Sequence, residues 1–208
     1  MRRKPAPQQI DASCRNTGIF WNDEFADLLE VWAAEDAWDE ILTLLEGGSG
    51  RVLDVGCGVG VAMSRLARFP RLEVYGFDLS DKLVRRAMQR GVPTNRLAVA
   101  KATSMPFADQ SFAWGYTIGM LHYLTDEEIV GVLRECRRVV AGPTFHQIPV
   151  SRRSHDMGWI STFQTVQNNS LAWWKAKFLS VYAQVEIRDS TWSDDLSLGK
   201  WMICSNAT

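Results

Sequence analysis

Ten residues constrain this chain more than any others: RVLDVGCGVG at positions 51–60. Val52, Leu53 and Val55 make a short apolar run of the kind that forms a buried strand, and glycines follow at 56, 58 and 60. Glycine lets the backbone take positive φ and removes the Cβ that would collide with an approaching ligand. The following VAMSRLARF continues at helical spacing, so the turn opens a helix whose first N–H groups face the ligand. Strand, glycine turn and helix make a mononucleotide-binding corner, and the chain is expected to bind a nucleoside.

Spacing narrows the choice of nucleoside. A dinucleotide fingerprint, G-x-G-x-x-G, would place its third glycine at 61, where Val61 stands. The pattern here is D-x-G-x-G-x-G, with Asp54 inside the strand end. A second apolar run, 72–77, ends in Asp78. A carboxylate at that strand end would face the two hydroxyls of a ribose, for which a bidentate acceptor is the natural partner.

VLDVGCGVG, then VYGFDLS, then SMPFADQSFAWGYTIGMLHYL resemble, in that order, successive motifs of the class I S-adenosylmethionine-dependent methyltransferases, most of all their broad small-molecule type 11 subgroup. The resemblance covers residues 51–150. It implies a Rossmann-like, doubly wound α/β fold with a seven-stranded sheet, mostly parallel, the last strand inserting antiparallel. It implies S-adenosylmethionine as cofactor, with S-adenosylhomocysteine as product. It also implies roles. Asp54, Gly56, Cys57, Gly58 and Gly60 would shape the pocket for the methionine portion; Asp78 would take the ribose and Leu79 would pack on the adenine. Ala102, Thr103 and Ser104 would border the adenine ring, and 117–122, including Thr117 and His122, would close the pocket under the sulfonium. One departure stands out: family members commonly carry an acid before the alanine of the third motif, whereas this chain has Lys101, which offers only donors to the adenine amino group. The acid often found before the fourth strand is absent too, with Ala113 in its neighbourhood.

Composition agrees with one α/β domain. Across 208 residues, 46% are hydrophobic and 23% charged, which is ordinary for a globular protein of this length. A net charge of −1 offers no basic face for a nucleic-acid backbone. No apolar run approaches the roughly 20 residues that span a bilayer. MRRKPAPQQ is basic with no apolar stretch behind it, so 1–20 is expected to be a disordered tail rather than a secretory signal. Cys14, Cys57, Cys136 and Cys204 are scattered, which suits reduced thiols in the cytoplasm, and no cluster suggests a metal.

Along the rest of the chain, helix and strand alternate, as a parallel sheet covered on both faces requires. Residues 22–46 show helical periodicity and stop at Gly47-Gly48-Ser49-Gly50, giving one or two helices before the first strand. Further helices are expected at 81–90 behind the Ser80 cap, at 126–139 behind Thr125, and at 171–179. Strands are expected at 97–100, 111–118, 144–150, 184–188 and 200–204. The organisation expected is 21–50 as helices forming a lid over the acceptor, 51–150 as the cofactor-binding core, and 151–208 as a substrate-side loop and the last strands.

Catalytic candidates come from position. His146 in the fifth strand is either a core residue or a base; His155, in the polar SRRSHDMGW loop, is either solvated or a base; His122 is either a packed imidazole or part of the site. Trp21, Phe25, Arg152 and Trp159 are candidates for substrate contact, with Arg152 or Arg153 anchoring an anionic group. The reaction expected is methyl transfer to an oxygen or nitrogen of a small molecule. The C-terminal stretch is similar to tails of methyltransferases of glycan pathways, which points to a sugar or glycan-pathway acceptor. The alternatives are a non-catalytic S-adenosylmethionine-binding subunit, suggested by Lys101 and Ala113, and a nucleotide-dependent oxidoreductase.

Overall fold

In the computed structural model, residues 8–9, 21–32 and 36–205 are described. The strands are β1 (Gln8–Gln9), β2 (Gly50–Val55), β3 (Leu72–Asp78), β4 (Leu97–Val99), β5 (Trp114–Ile118), β6 (Thr144–Ser151), β7 (Trp159–Ser161), β8 (Thr165–Gln167), β9 (Gln184–Ser193) and β10 (Ser197–Ser205). The α-helices are α1 (Asp23–Trp32), α2 (Glu40–Leu44), α3 (Val61–Leu66), α4 (Asp81–Gln89), α5 (Asp126–Val139) and α6 (Leu171–Leu179).

Seven strands form one sheet in the order β4-β3-β2-β5-β6-β10-β9. β2 pairs in parallel with β3 on one side and β5 on the other, so the chain winds outward in both directions from the β2–β5 boundary. β10 runs antiparallel between β6 and β9. This is the expected doubly wound sheet with its last strand inserted antiparallel. Val52, Leu53, Val55, Phe77 and Tyr116 are essentially inaccessible, because both faces of the central strands are covered by helices. The caps behave as their chemistry dictates: Thr125 Oγ1 accepts from the Glu128 N–H while Glu128 Oε2 accepts from the Thr125 N–H, a complete capping box on α5.

Several boundaries differ from expectation. The 22–46 segment is broken into α1, a 3₁₀ turn at Asp36–Asp39 and the short α2, which lets Trp38 and Glu40 turn toward the sheet. The helix after the glycine turn is only α3, six residues long. The 111–118 strand begins at Trp114, with Phe112 making an isolated bridge to Val140. β9 is twice the expected length, because an edge strand half-exposed along its length carries no long apolar run to reveal it. Residues 159–167, expected as loop, form the β7–β8 hairpin. Of residues 1–20, expected as a tail, only Gln8–Gln9 fall within the described residues, paired to β7; Cys14 lies outside them. Among the described residues no helix is long and apolar enough to cross a membrane, and no group of histidines, cysteines and carboxylates could hold a metal ion.

Candidate active site

The site is built at the carboxyl ends of β2, β3, β4 and β5, where the strand order reverses and ligands of open α/β sheets bind. The glycine turn sets its floor. Gly56 has φ +74°, and a Cβ there would lie 2.7 Å from Met120 Cγ; Gly60 has φ +76°, and its Cβ would sit 3.0 Å from both Ala87 and Val92. At these positions glycine is demanded by both backbone conformation and space. The Gly56 and Cys57 N–H groups donate to the Phe77 carbonyl at 3.0 and 2.9 Å, locking the turn to β3.

Asp78 closes that lock. Its Oδ2 accepts from the Gly58 N–H at 3.0 Å and its Oδ1 from the Ser80 N–H at 2.9 Å. Burial raises its pKa, against the pull of those N–H donors. Each carboxylate oxygen keeps further acceptor capacity, so a diol can be bound without breaking either bond. Beneath the turn, Asp54 is 3% exposed and accepts from the Tyr116 hydroxyl at 2.9 Å. Burial, with the nearby Asp78 charge, pushes its carboxyl up to about 7.

Around this floor lies a cavity of about 390 Å³. It is lined by the glycine turn (Gly56, Cys57, Gly58), by Asp78 and Leu79, by Lys101, Ala102 and Thr103, and by Gly119 and Met120. Glu128 and Val132 of α5 complete the wall beside Thr103. Phe25 and Leu29 of α1, and Trp21 just before it, also line the cavity. α1 is held over it by ion pairs to α4, Asp27 with Arg86 at 2.9 Å and Glu30 with Arg90, and by the Ser80 hydroxyl donating to the Trp21 carbonyl at 3.2 Å.

A second cavity of about 250 Å³ adjoins the first, and Phe25, Leu29, Trp38, Ile118, Gly119 and Tyr123 line both. Its far walls come from β6 (Gln147, Pro149), the tip of the β7–β8 hairpin (Thr162, Phe163, Gln164) and the end of β9 (Trp192). Phe163 stacks on Phe25 at 6.4 Å between ring centroids, joining hairpin to helix above the chamber. A bulge near Gly199 brings β9 so close that a Cβ there would meet the Trp192 carbonyl at 2.7 Å, which helps turn Trp192 over the chamber.

His122 lines this second chamber rather than the first. Its Nδ1 is buried with no hydrogen-bond partner among the described residues. Burial lowers its pKa to about 3, so the ring is neutral across the physiological range. Its other ring nitrogen, Nε2, is not sealed in this way.

The sequence-derived candidates divide accordingly. Gly56, Cys57, Gly58, Asp78, Leu79, Ala102, Thr103, Trp21 and Phe25 all line the first cavity. Asp54, Gly60, Ser104 and Thr117 line neither chamber; the first two and Thr117 are buried, whereas Ser104 is exposed. His146 is corrected outright as a base. It is fully buried in β6, inside a directional chain: Thr117 Oγ1 donates to its Nδ1 (3.1 Å), its Nε2 donates to Thr144 Oγ1 (3.0 Å), Thr144 to the Tyr182 hydroxyl (3.0 Å), and Tyr182 to the Leu133 carbonyl (3.2 Å). That chain fixes one neutral tautomer and leaves no nitrogen for a substrate. His155 is exposed, facing the Arg153 carbonyl at 3.1 Å, and lines neither chamber. Nor does Arg152, whose Nε donates to the Asp194 carbonyl at 2.7 Å and braces the turn before β10. Trp159 is half-buried in β7, with its neighbour Ile160 reaching the chamber instead. Sequence reasoning missed Gln147, Trp192 and Glu128, since alternation inside a fully buried strand and helix-cap chemistry give no sign of a ligand.

Residues 52–142 match a family model described as a methyltransferase domain. The chain is 32% identical over 127 residues to the 27-O-demethylrifamycin SV methyltransferase of Amycolatopsis mediterranei, covering 58% of this chain and 45% of that one. It is 30% identical over 138 residues to the O-methyltransferase rstn1 of Aspergillus nomiae, covering 61% of each. The chain thus spans about half to three fifths of the length of these relatives. A solved SAM-dependent methyltransferase from Methanosarcina mazei shares the fold with a TM-score of 0.65 at 17% identity, over 76% of this chain and 92% of that one. Residues 52–142 are a methyltransferase domain, similar to those of the S-adenosylmethionine-dependent methyltransferases.

Proposed function

We propose that this protein transfers a methyl group from S-adenosylmethionine to an oxygen of a small molecule. The observation that carries this reading is the pair of adjoining cavities: one floored by the glycine turn and Asp78, the other holding a neutral, unpartnered imidazole. When bound, S-adenosylmethionine supplies a methyl group already activated by its sulfonium. Asp78 holds the ribose hydroxyls, Gly56 and Gly58 admit the chain close to the backbone, and Ala102, Thr103 and Leu79 border the adenine. With Lys101 unable to accept from the adenine amino group, the carboxylate of Glu128, which lines the same cavity and keeps Oε1 outside the α5 capping box, is an available acceptor. The aromatic wall of α1 excludes water from the junction between the chambers. The O-methyltransferase named in Aspergillus nomiae supports oxygen as the target atom.

An alcohol or phenol must lose its proton as it is methylated, and His122 is placed to take it. Burial keeps the ring neutral at physiological pH, so its ring nitrogen can accept a hydrogen bond from the hydroxyl; the same burial disfavours the imidazolium, so the proton moves on to water as the methyl is transferred rather than resting on the ring. Two consequences are expected. His122→Ala lowers turnover by about two to three orders of magnitude with S-adenosylhomocysteine affinity unchanged, and the rate shows no inflection near pH 6.5. The test is mass spectrometry of a library of hydroxylated and amino compounds incubated with trideuteromethyl-labelled S-adenosylmethionine. Label on oxygen that is lost in His122→Ala fits the reading; label on nitrogen or carbon alone, or full activity in the variant, refutes it.

A further inference from the structure

The polar groups of the second chamber are few, and most are already spent. Gln167 donates to the Leu124 carbonyl (3.5 Å) and Asp126 (3.3 Å) and accepts from Asn169 at 3.0 Å. Thr162 Oγ1 donates to the Gln164 carbonyl at 2.9 Å. Ser197 Oγ donates to Asn168 Oδ1 at 3.5 Å, and Asp194 Oδ1 accepts from the Leu196 and Ser197 N–H groups. Among the described residues, no lysine or arginine lines the chamber.

Gln147 differs. It is 6% exposed, it lines the chamber, and its side-chain amide has no hydrogen-bond partner among the described residues. Unlike His122 Nδ1, neither amide atom is sealed from the cavity without a partner. A primary amide held at the wall of an apolar chamber offers one acceptor and two donors to whatever fills it. The remaining surface is aromatic and aliphatic: Phe25, Trp32, Trp38, Ile160, Phe163 and Trp192.

We propose that the acceptor is an uncharged, planar aromatic compound whose hydroxyl, or a polar group beside it, is held by the Gln147 amide while His122 faces the oxygen to be methylated. This rests on the methyltransferase reading and adds the substrate class to it. Three physical arguments support the class. Aromatic walls contact a flat ring edge-on and face-on over a large area. An anion would be buried beside the Asp194 carboxylate with no cation among the described lining residues to pair with, which is costly. A sugar carries several hydroxyls, more than Gln147, His122 and the remaining Asp194 oxygen can satisfy once water is displaced. Gln147 is accordingly a specificity residue, distinct from the proton acceptor.

The test is calorimetry on the full chain, first with S-adenosylhomocysteine and then, on the saturated protein, with 2-naphthol, naphthalene, 2-naphthyl phosphate and methyl glucoside. We expect 2-naphthol to bind about tenfold more tightly than naphthalene, with the phosphate and the glucoside weaker by at least about tenfold. Gln147→Met, which keeps size and removes the amide, should bring 2-naphthol down to the naphthalene value and leave naphthalene and S-adenosylhomocysteine unchanged. Tighter binding of the phosphate or the glucoside than of 2-naphthol, no preference for 2-naphthol over naphthalene, or no binding of any of them to the saturated protein would overturn the proposal while the methyltransferase reading stands. Absence of S-adenosylhomocysteine binding would overturn that reading, and this proposal with it. Should the variant itself lose S-adenosylhomocysteine, the ligand series on the unaltered chain decides.

Discussion

Residues of the same type carry different meanings here because of where the chain puts them. Three histidines looked alike in sequence, yet one is a structural link, one is solvated, and one stands open at a cavity. Asp54 and Asp78 divide in the same way. Asp78 reaches the cavity; Asp54 lies under it, bonded to Tyr116 and with its carboxyl pushed up to about 7. An acid whose folded pKa lies above its unfolded value binds its proton more tightly when folded, so stability falls as pH rises from about 4 through about 7. Asp54→Asn keeps an acceptor for the Tyr116 hydroxyl and removes the titration. We expect the melting temperature of the variant to gain on the original chain between pH 5 and pH 7.5, read by thermal melts across that range. A constant difference between the two curves would mean that Asp54 does not carry the proton.

The glycine spacing and Asp78 were legible in the sequence because both serve a backbone that few residues can adopt. Gln147 was not, because it sits in a strand buried along its whole length, where a glutamine facing a ligand looks the same as one facing a partner.

At the scale of elements, the chambers depend on how α1, α2 and the hairpin are held against the sheet. Glu40, at the start of α2, accepts from Ser190 Oγ and Trp201 Nε1 at 2.6 Å each, and from the Thr191 N–H, tying the helix to β9 and β10. Burial opposes its charge, but those hydrogen bonds outweigh it and lower its pKa. Trp201 is 2% exposed, so truncation at Glu40 leaves a buried indole N–H unpaired. Glu40→Ala should therefore cost about 2 kcal/mol in urea unfolding, whereas Glu40→Gln, which keeps an acceptor, should cost less. Equal stability of both variants and the original would show that the tie carries no weight. Alternation of helix and strand made most elements readable. The hairpin was not, since its strands are three residues each and lie in a polar stretch whose pairing partners are distant in sequence or supplied by one another.

For the whole molecule, a doubly wound sheet places the ends of β2, β3, β4 and β5 together, and one N-terminal helix roofs both the nucleoside cleft and the chamber beside it. The family resemblance reached that architecture from three ordered motifs, and the comparisons bear it out. The second chamber lies mostly outside those motifs, with walls from 147–197, so its chemistry emerges only once the chain is folded. Fold alone does not name an activity. What joins fold to activity is occupancy of the first cleft. The most direct measurement is calorimetric titration of S-adenosylhomocysteine into the original chain and into Asp78→Ala. Micromolar binding to the first, weakened at least about tenfold in the second by loss of a charge-assisted diol contact, is the predicted result. No binding to the original chain, or the same affinity in both, would contradict the account.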